Sequence, residues 1–245
     1  MATRVTLVVA YRDLGCEHRR VALDYTLNWW ASLMPYRAPW ELIVEGGRDD
    51  ASFTRASALN TAIGRASGDI IVQSDPDSVL ANRGAVVEAL AMAADGDGLI
   101  VPHDLYLYLT EAATQSVYGG QSLAALLPSD CHDYGRDGVG NVTVFRRSTW
   151  ERAGGFDERF GLWGGDDAAF CYATEAFCAP LRRVLGNMVH LYHPRLPQSQ
   201  PGHPGYADQF AILAEYRDAA AVGPSTVRRL VRAVRGDKVG GLSGQ

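Results

Sequence analysis

The order in which the apolar pattern changes period constrains this chain most. Continuous apolar runs at 5–10 (VTLVVA), 40–44 (WELIV), 69–73 and 98–101 read as buried strands. Between them, 19–33, 53–66 and 83–94 carry apolar residues at helical spacing. Strands that alternate with helices can pair in parallel, because each crossover needs a helix to return the chain. The expected fold class is therefore α/β, a mostly parallel sheet flanked by helices. Such sheets bind ligands at the carboxyl ends of their strands.

The second half is less regular. Residues 102–140 hold Tyr106, Tyr108, Tyr118 and Tyr134 and a glycine-rich run, with no clear element. A strand-like NVTVF follows, then a helix signal at 148–153 and a loop, GLWGGDD, leading into a helix from about Ala168. A last strand falls near 181–189, then a Pro/Gly/His loop from Leu191 to Tyr206, either a lid or a static surface loop, and a helix over 206–221.

At 245 residues and 47% apolar composition, one large domain over 1–223 has enough material for a core, with a basic helical tail over 224–245. The net charge of −5 argues against a general polyanion binder. The tail is the exception, with Arg228, Arg229, Arg232, Arg235 and Lys238 against one acid, Asp237. Its Val227, Leu230, Val231 and Val234 recur at helical spacing. This pattern fits either a helix packed on its own domain or peripheral contact with an anionic membrane, and a nucleic-acid acceptor would also suit the arginines. No apolar run reaches the length of a membrane span, and the opening run reads as a first strand rather than a signal peptide. Cys16, Cys131, Cys171 and Cys178 lack the spacing of a zinc site or disulfide framework. A cytoplasmic location is expected, extending to the inner membrane face if the tail binds there.

Three groups of residues carry candidate chemistry. Asp75-Pro76-Asp77 follows the strand GDIIVQS. If the chain stays extended there, both carboxylates point to one side and suit Mn²⁺ or Mg²⁺ shared with phosphates; the alternative is a polar turn. Asp166-Asp167 forms a second pair, able also to cap the helix that follows. His190 and His193 follow the last strand, with Met188 before them better suited to packing than to a hard ion.

Two longer stretches give these groups a context. FTRASALNTAIGRASGDIIVQSDPD resembles the donor-binding half of GT-A glycosyltransferases, where an A-L-N helix and a strand lead into a D-x-D metal motif. NVTVFRRSTWERAGGFDERFGLWGGDDAAF resembles the carboxyl-terminal block of the β-1,4-galactosyltransferase group, which ends in W-G-G-E-D. The resemblance spans about residues 4 to 195. It implies a GT-A (Rossmann-like) fold and a metal-dependent, inverting transfer of a hexose from a UDP-sugar to a hydroxyl on a glycan, a lipid-linked or another acceptor.

Carried over by position, the resemblance implies a base-binding turn at Ala10, Tyr11, Arg12 and Asp13, with Glu45 as a looser match. Phe53 would lie near uracil or ribose and Arg55 near the nucleotide. Trp163 and Gly164 would contact the nucleotide sugar. Asp75 and Asp77 would bind metal, Asp77 directly, Asp75 also meeting the donor. His190 is the first choice to complete the metal site, with His193 in reserve. Asp167 would be the base, and Asp166 would contact the acceptor or orient the loop. Position 166 departs from the pattern, holding Asp where the family has Glu.

The rival readings are a retaining GT-A transferase and a non-catalytic sugar-nucleotide or glycan-binding domain. A sugar nucleotidyltransferase is disfavoured because YRDLGCEHRR lacks the glycine-rich turn after strand one, and neither dinucleotide nor P-loop glycine patterns occur.

Overall fold

In a computed structural model, the residues described are 4–33, 40–46, 53–161, 164–195 and 202–236. Trp163 and the tail beyond 236 lie outside them.

The first sheet has six strands. β1 (Val5–Ala10) runs parallel to β2 (Trp40–Glu45) on one side and to β3 (Ile70–Ser74) on the other. All six residues of β1 are buried, which is why its sequence is a continuous apolar run. β8 (Val142–Arg146) pairs antiparallel with β3 and β5 (Ile100–Val101), and β9 (Arg182–Arg183) closes the sheet parallel to β5. The order is β2-β1-β3-β8-β5-β9. The mostly parallel sheet is thus present, with β8 reversed. α1 (Glu17–Ala31), α2 (Arg55–Arg65) and α3 (Arg83–Asp95) are the crossover helices.

A second, four-stranded sheet was not expected from the sequence. It orders β4 (Ser78–Leu80), β10 (Asn187–His190), β6 (Leu105–Leu109) and β7 (Cys131–Arg136). Most of this sheet comes from the stretch that looked irregular. In β6 the period is two: Leu107 and Leu109 are buried in the core, while Tyr106 and Tyr108 line a cavity on the other face. The single strand expected near 181–189 is two strands in two sheets. The chain crosses between them at Gly186, which exchanges backbone and side-chain hydrogen bonds with Asp104, at 3.0 and 2.9 Å.

α4 (Glu111–Tyr118) follows β6, and α5 (Arg147–Ala153) follows β8. The Gly154-Gly155-Phe156-Asp157-Glu158 turn is clamped by Asn60 of α2. The Asn60 amide donates to Phe156 O at 2.9 Å and Glu158 Oε1 at 2.7 Å, and its oxygen accepts from Phe156 N and Trp150 Nε1. The asparagine of the A-L-N pattern is therefore a structural tie between the two halves.

Two helices end the described chain, α7 (Pro204–Val222) and α8 (Pro224–Arg235). Of the two readings of the basic helix from residue 224, the described residues follow the packed one: α8 lies against α6 (Asp166–Phe177) and α7, burying Val227 and Val231 in the core. Arg228 caps Ala176 O at 2.6 Å and Arg235 donates to Ala153 O, so two of the basic residues satisfy carbonyls at the ends of α6 and α5. The apolar stripe is occupied and does not face outward as a membrane-binding surface would. No helix among the described residues is long and apolar enough to cross a membrane. Deleting residues from 224 onward should therefore lower the melting temperature sharply or abolish folding. Two fully buried valines are worth about 3–6 kcal/mol together, against a total of about 5–15. A cooperative melt at unchanged temperature would restore the independent tail.

Candidate active site

The site lies at the carboxyl ends of β1 and β3, where the two sheets meet. The end of β1 is held to β2 by Tyr11 N–H donating to Glu45 O at 2.9 Å. Gly46 allows this approach: its φ is +135°, and a Cβ there would stand 1.9 Å from Tyr11 O.

The D-P-D segment is a turn rather than extended chain, with Ser78 N–H donating to Asp75 O at 3.4 Å. The turn sends its two carboxylates different ways. Asp77 faces His190 and His193, with its oxygens 3.4 Å and 3.1 Å from their Nε2 atoms. The β4–β10 ladder fixes this meeting, because Ser78 sits opposite His190 and Leu191 N–H donates to Asp77 O at 2.8 Å. One ligand atom from each of Asp77, His190 and His193 lies within 4.8 Å of the others. His190 is stacked on Tyr108 at a centroid distance of 4.4 Å.

The protonation states suit a cation. Burial pushes the His190 imidazole down to about 4, so the ring is neutral at pH 7. Burial works against ionisation of Asp77, but the adjacent His190 and His193 rings outweigh it and hold the carboxyl well below its usual range. A carboxylate and two imidazoles form a donor set for Mn²⁺ more readily than for Mg²⁺, which prefers oxygen.

Asp75 turns toward Arg55 instead. Its Oδ1 accepts from Arg55 Nε at 2.9 Å, from Nη2 at 2.7 Å and from Gln73 Nε2 at 3.2 Å. The same guanidinium donates through Nη1 to Asp166 and, at 3.1 Å, to Asp167. Thr54, whose hydroxyl caps α2 by accepting from Ser57 N–H, places Arg55 at the start of that helix. Arg55 thus joins the D-P-D turn to the second carboxylate pair.

α6 begins at Asp166, two residues earlier than its sequence pattern indicated, and its cap is Gly165 at φ +96°. Neither aspartate caps the helix; both stand in its first turn. Asp166 is buried and Asp167 half-buried. A helix N-terminus favours ionised carboxylates, but burial dominates at Asp167. Desolvation, reinforced by the charges of Asp166 and Asp75, pushes it up to about 8 against the opposing pull of Arg55. Burial likewise raises Asp75 to about 6. Gly140 makes room for Asp167, since a Cβ there would lie 2.6 Å from Asp167 Oδ2.

Two adjoining cavities of about 620 and 420 Å³ open here. The larger is lined by the Asp77, His190 and His193 group with Arg12, Arg19 and Arg195. The smaller is lined by Asp166, Asp167 and Asn141 with the aromatic rings of Tyr106, Tyr108 and Phe210. Arg12, Arg19, Phe53, Arg55, Asp75 and Tyr108 border both.

Among the residues singled out in the sequence, Ala10, Arg12, Phe53, Arg55, Asp75, Asp77, His190, Gly164, Asp166 and Asp167 all line these cavities. Asp75 stands apart from the Asp77–histidine group, and His193 joins it on equal terms with His190. Tyr11, Asp13 and Glu45 do not line these two cavities. The Tyr11 hydroxyl is buried, Asp13 accepts from Gly15 N–H at 2.9 Å, and Glu45 pairs with Arg65. Met188 is fully buried in the core. Arg19, Tyr108 and Asn141 were missed. The alternation LYLYL was the signal for Tyr108; none marked Asn141, whose place depends on a loop.

Residues 121–194 match the family model for the N-terminal domain of galactosyltransferase. The matched segment contains β7 to β10, Asp166, Asp167, His190 and His193. No curated protein matches the chain in sequence. Among solved structures, the catalytic domain of Drosophila β1,4-galactosyltransferase 7 in complex with xylobiose superposes with a TM-score of 0.55 at 17% identity, over 85% of this chain and 80% of that one. A mutant of the same enzyme, in complex with manganese, UDP-Gal and xylobiose, gives 0.54 at 17% identity, over 78% and 72%. Glucosyl-3-phosphoglycerate synthase from Mycobacterium tuberculosis, in complex with Mn²⁺, UDP-glucose and phosphoglyceric acid, gives 0.51 at 14% identity, over 88% and 80%. The fold is that of GT-A glycosyltransferases, as the motifs implied.

Proposed function

We propose that this chain is a metal-dependent glycosyltransferase that moves a hexose from a UDP-sugar to a carbohydrate hydroxyl with inversion. The observation that carries the reading is the arrangement around Arg55: a metal-suited trio in one cavity, a carboxylate pair in the next, and one guanidinium bordering both. The manganese and UDP-sugar in the similar structures, and the galactosyltransferase segment, support the same class.

Asp77, His190 and His193 would hold the divalent ion, which when bound neutralises the charge that grows on the departing diphosphate. Arg12, Arg19 and Arg195 bring further positive charge to the same cavity. In the smaller cavity the apolar face of a sugar ring can stack on Tyr106, Tyr108 or Phe210 while its hydroxyls meet Asp166, Asp167 and Asn141. Asp167 takes the proton of the attacking hydroxyl. The acceptor oxygen bonds to the anomeric carbon as the bond from that carbon to the diphosphate oxygen breaks, and UDP leaves. A direct displacement of this kind inverts the anomeric centre.

A screen of UDP- and GDP-sugars for hydrolysis tests the class. Turnover should require Mn²⁺, vanish with EDTA and return when Mn²⁺ is restored. Full activity in EDTA would remove the metal from the reading. Binding of donor without any turnover would favour a non-catalytic domain, and a product of retained configuration would favour the retaining alternative.

A further inference from the structure

The loop between β7 and β8 lies where the two halves of the site touch. Asn141 O accepts from Asp75 N–H at 2.7 Å, fixing the D-P-D turn. The Asn141 side-chain oxygen lies 3.4 Å from both the Ser78 and Tyr108 hydroxyls, and Tyr108 carries His190 on its ring. Gly140, one residue earlier, leaves the space that Asp167 fills. A small shift of this loop would therefore move the Asp75 backbone and Asp167 relative to one another.

Two residues of the loop hold a conformation that most L-residues avoid. Asp137 and Asn141 are the only described non-glycine residues with positive φ, at 62° and 69°. L-residues avoid this region, although Asp and Asn tolerate it best. Beside the Asp137 N–H bond to Asp104 O at 2.9 Å, the loop is restrained from outside the site. Arg183 of β9 donates to Asp137 O and Gly138 O, both at 2.7 Å, and to His103 O at 3.4 Å. His103 in turn meets Gly140 O through Nε2 at 3.1 Å. Arg183 lines neither cavity.

We propose that Arg183 is a positioning residue, whose guanidinium clamps the carbonyls of the 137–141 loop so that Asn141 and Gly140 set Asp75 and Asp167 at their working separation. The guanidinium reaches these carbonyls from two separate nitrogens in one rigid plane; a lysine keeps the charge, but its three N–H donors all leave a single nitrogen. The consequence for turnover rests on the glycosyltransferase reading above, whereas the clamp itself does not.

Two measurements on the full chain test the proposal. Hydrogen exchange comes first, on Arg183→Lys. Peptides covering 137–142 and the Asp75 amide should exchange at least about tenfold faster, while β1 and β2 keep their protection. Adding Asp137→Gly, which removes the disfavoured φ at that position, should restore much of the protection, whereas Asp137→Gly alone should change little. Steady-state hydrolysis of UDP-galactose with Mn²⁺ comes second. Arg183→Lys should lower kcat by about 10–100-fold with KM for the donor unchanged, as expected of misplaced groups rather than lost contacts, and Asp137→Gly should recover part of it. Unchanged exchange in the loop, or faster exchange throughout the chain, would overturn the clamp. A wild-type chain that leaves UDP-galactose intact would count against that donor, while the exchange result still decides the role of Arg183.

Discussion

Asp167→Asn should lower sugar transfer by about two to four orders of magnitude, the usual range for loss of a general base. The substitution keeps the shape and the hydrogen bond to Arg55 but removes the group that accepts the proton. Donor affinity should change little, because Asp167 lies in the smaller cavity, away from the Asp77–histidine group. Its pH dependence follows from its surroundings. Burial and the neighbouring carboxylates push Asp167 up to about 8, and a base works deprotonated, so kcat/KM for the acceptor should rise with pH through about 8. In Asp167→Asn that limb should disappear. Asp166→Asn is the comparison: if it is dead while Asp167→Asn is active, the base is Asp166. A calorimetric titration with UDP and Mn²⁺, beside the pH–rate profile, separates a lost base from a lost donor site.

Asp77→Ala should abolish Mn²⁺-dependent UDP binding. It removes the one anionic donor of the trio and leaves two imidazoles, a poor match for a hard ion. The loss of affinity should exceed the roughly 10–100-fold typical of partners that only support a ligand. His193→Ala should weaken Mn²⁺ binding as strongly as His190→Ala, because both rings stand against the same carboxylate at 3.1 and 3.4 Å. Asp75→Asn, by contrast, should affect donor turnover more than Mn²⁺ affinity, since Asp75 is engaged by Arg55 rather than by the histidines. Equal Mn²⁺ affinity in wild type and Asp77→Ala, measured by titration on folded protein, would contradict the assignment.

Sequence alone located β1, β2, β3, β5 and β8 of the first sheet to within about two residues. The apolar pattern sufficed there because β1 and β3 are buried along their whole length and are therefore mostly apolar. It also singled out the two carboxylate pairs and the histidines, through long stretches that resemble known glycosyltransferases. The second sheet was harder to read. β7 is a half-exposed strand whose residues, CHDYGR, carry little apolar pattern, and β4 is too short to show any period, as is β9 at the edge of the first sheet.

Only the tertiary structure decided which of the singled-out residues stand together. A two-residue spacing implied that Asp75 and Asp77 act together, but Pro76 and the 3.4 Å Ser78–Asp75 contact make a turn that separates them. His193 gained its place because the β4–β10 register brings the end of β10 against Asp77. The protonation of Asp167 depends on three other charged residues, Arg55, Asp75 and Asp166, the first two far from it in the chain. Local propensity acts over a few residues and fixes elements. The meeting of Arg55 with Asp166, 111 positions away, depends on burial and packing across the whole fold, and no local pattern encodes it.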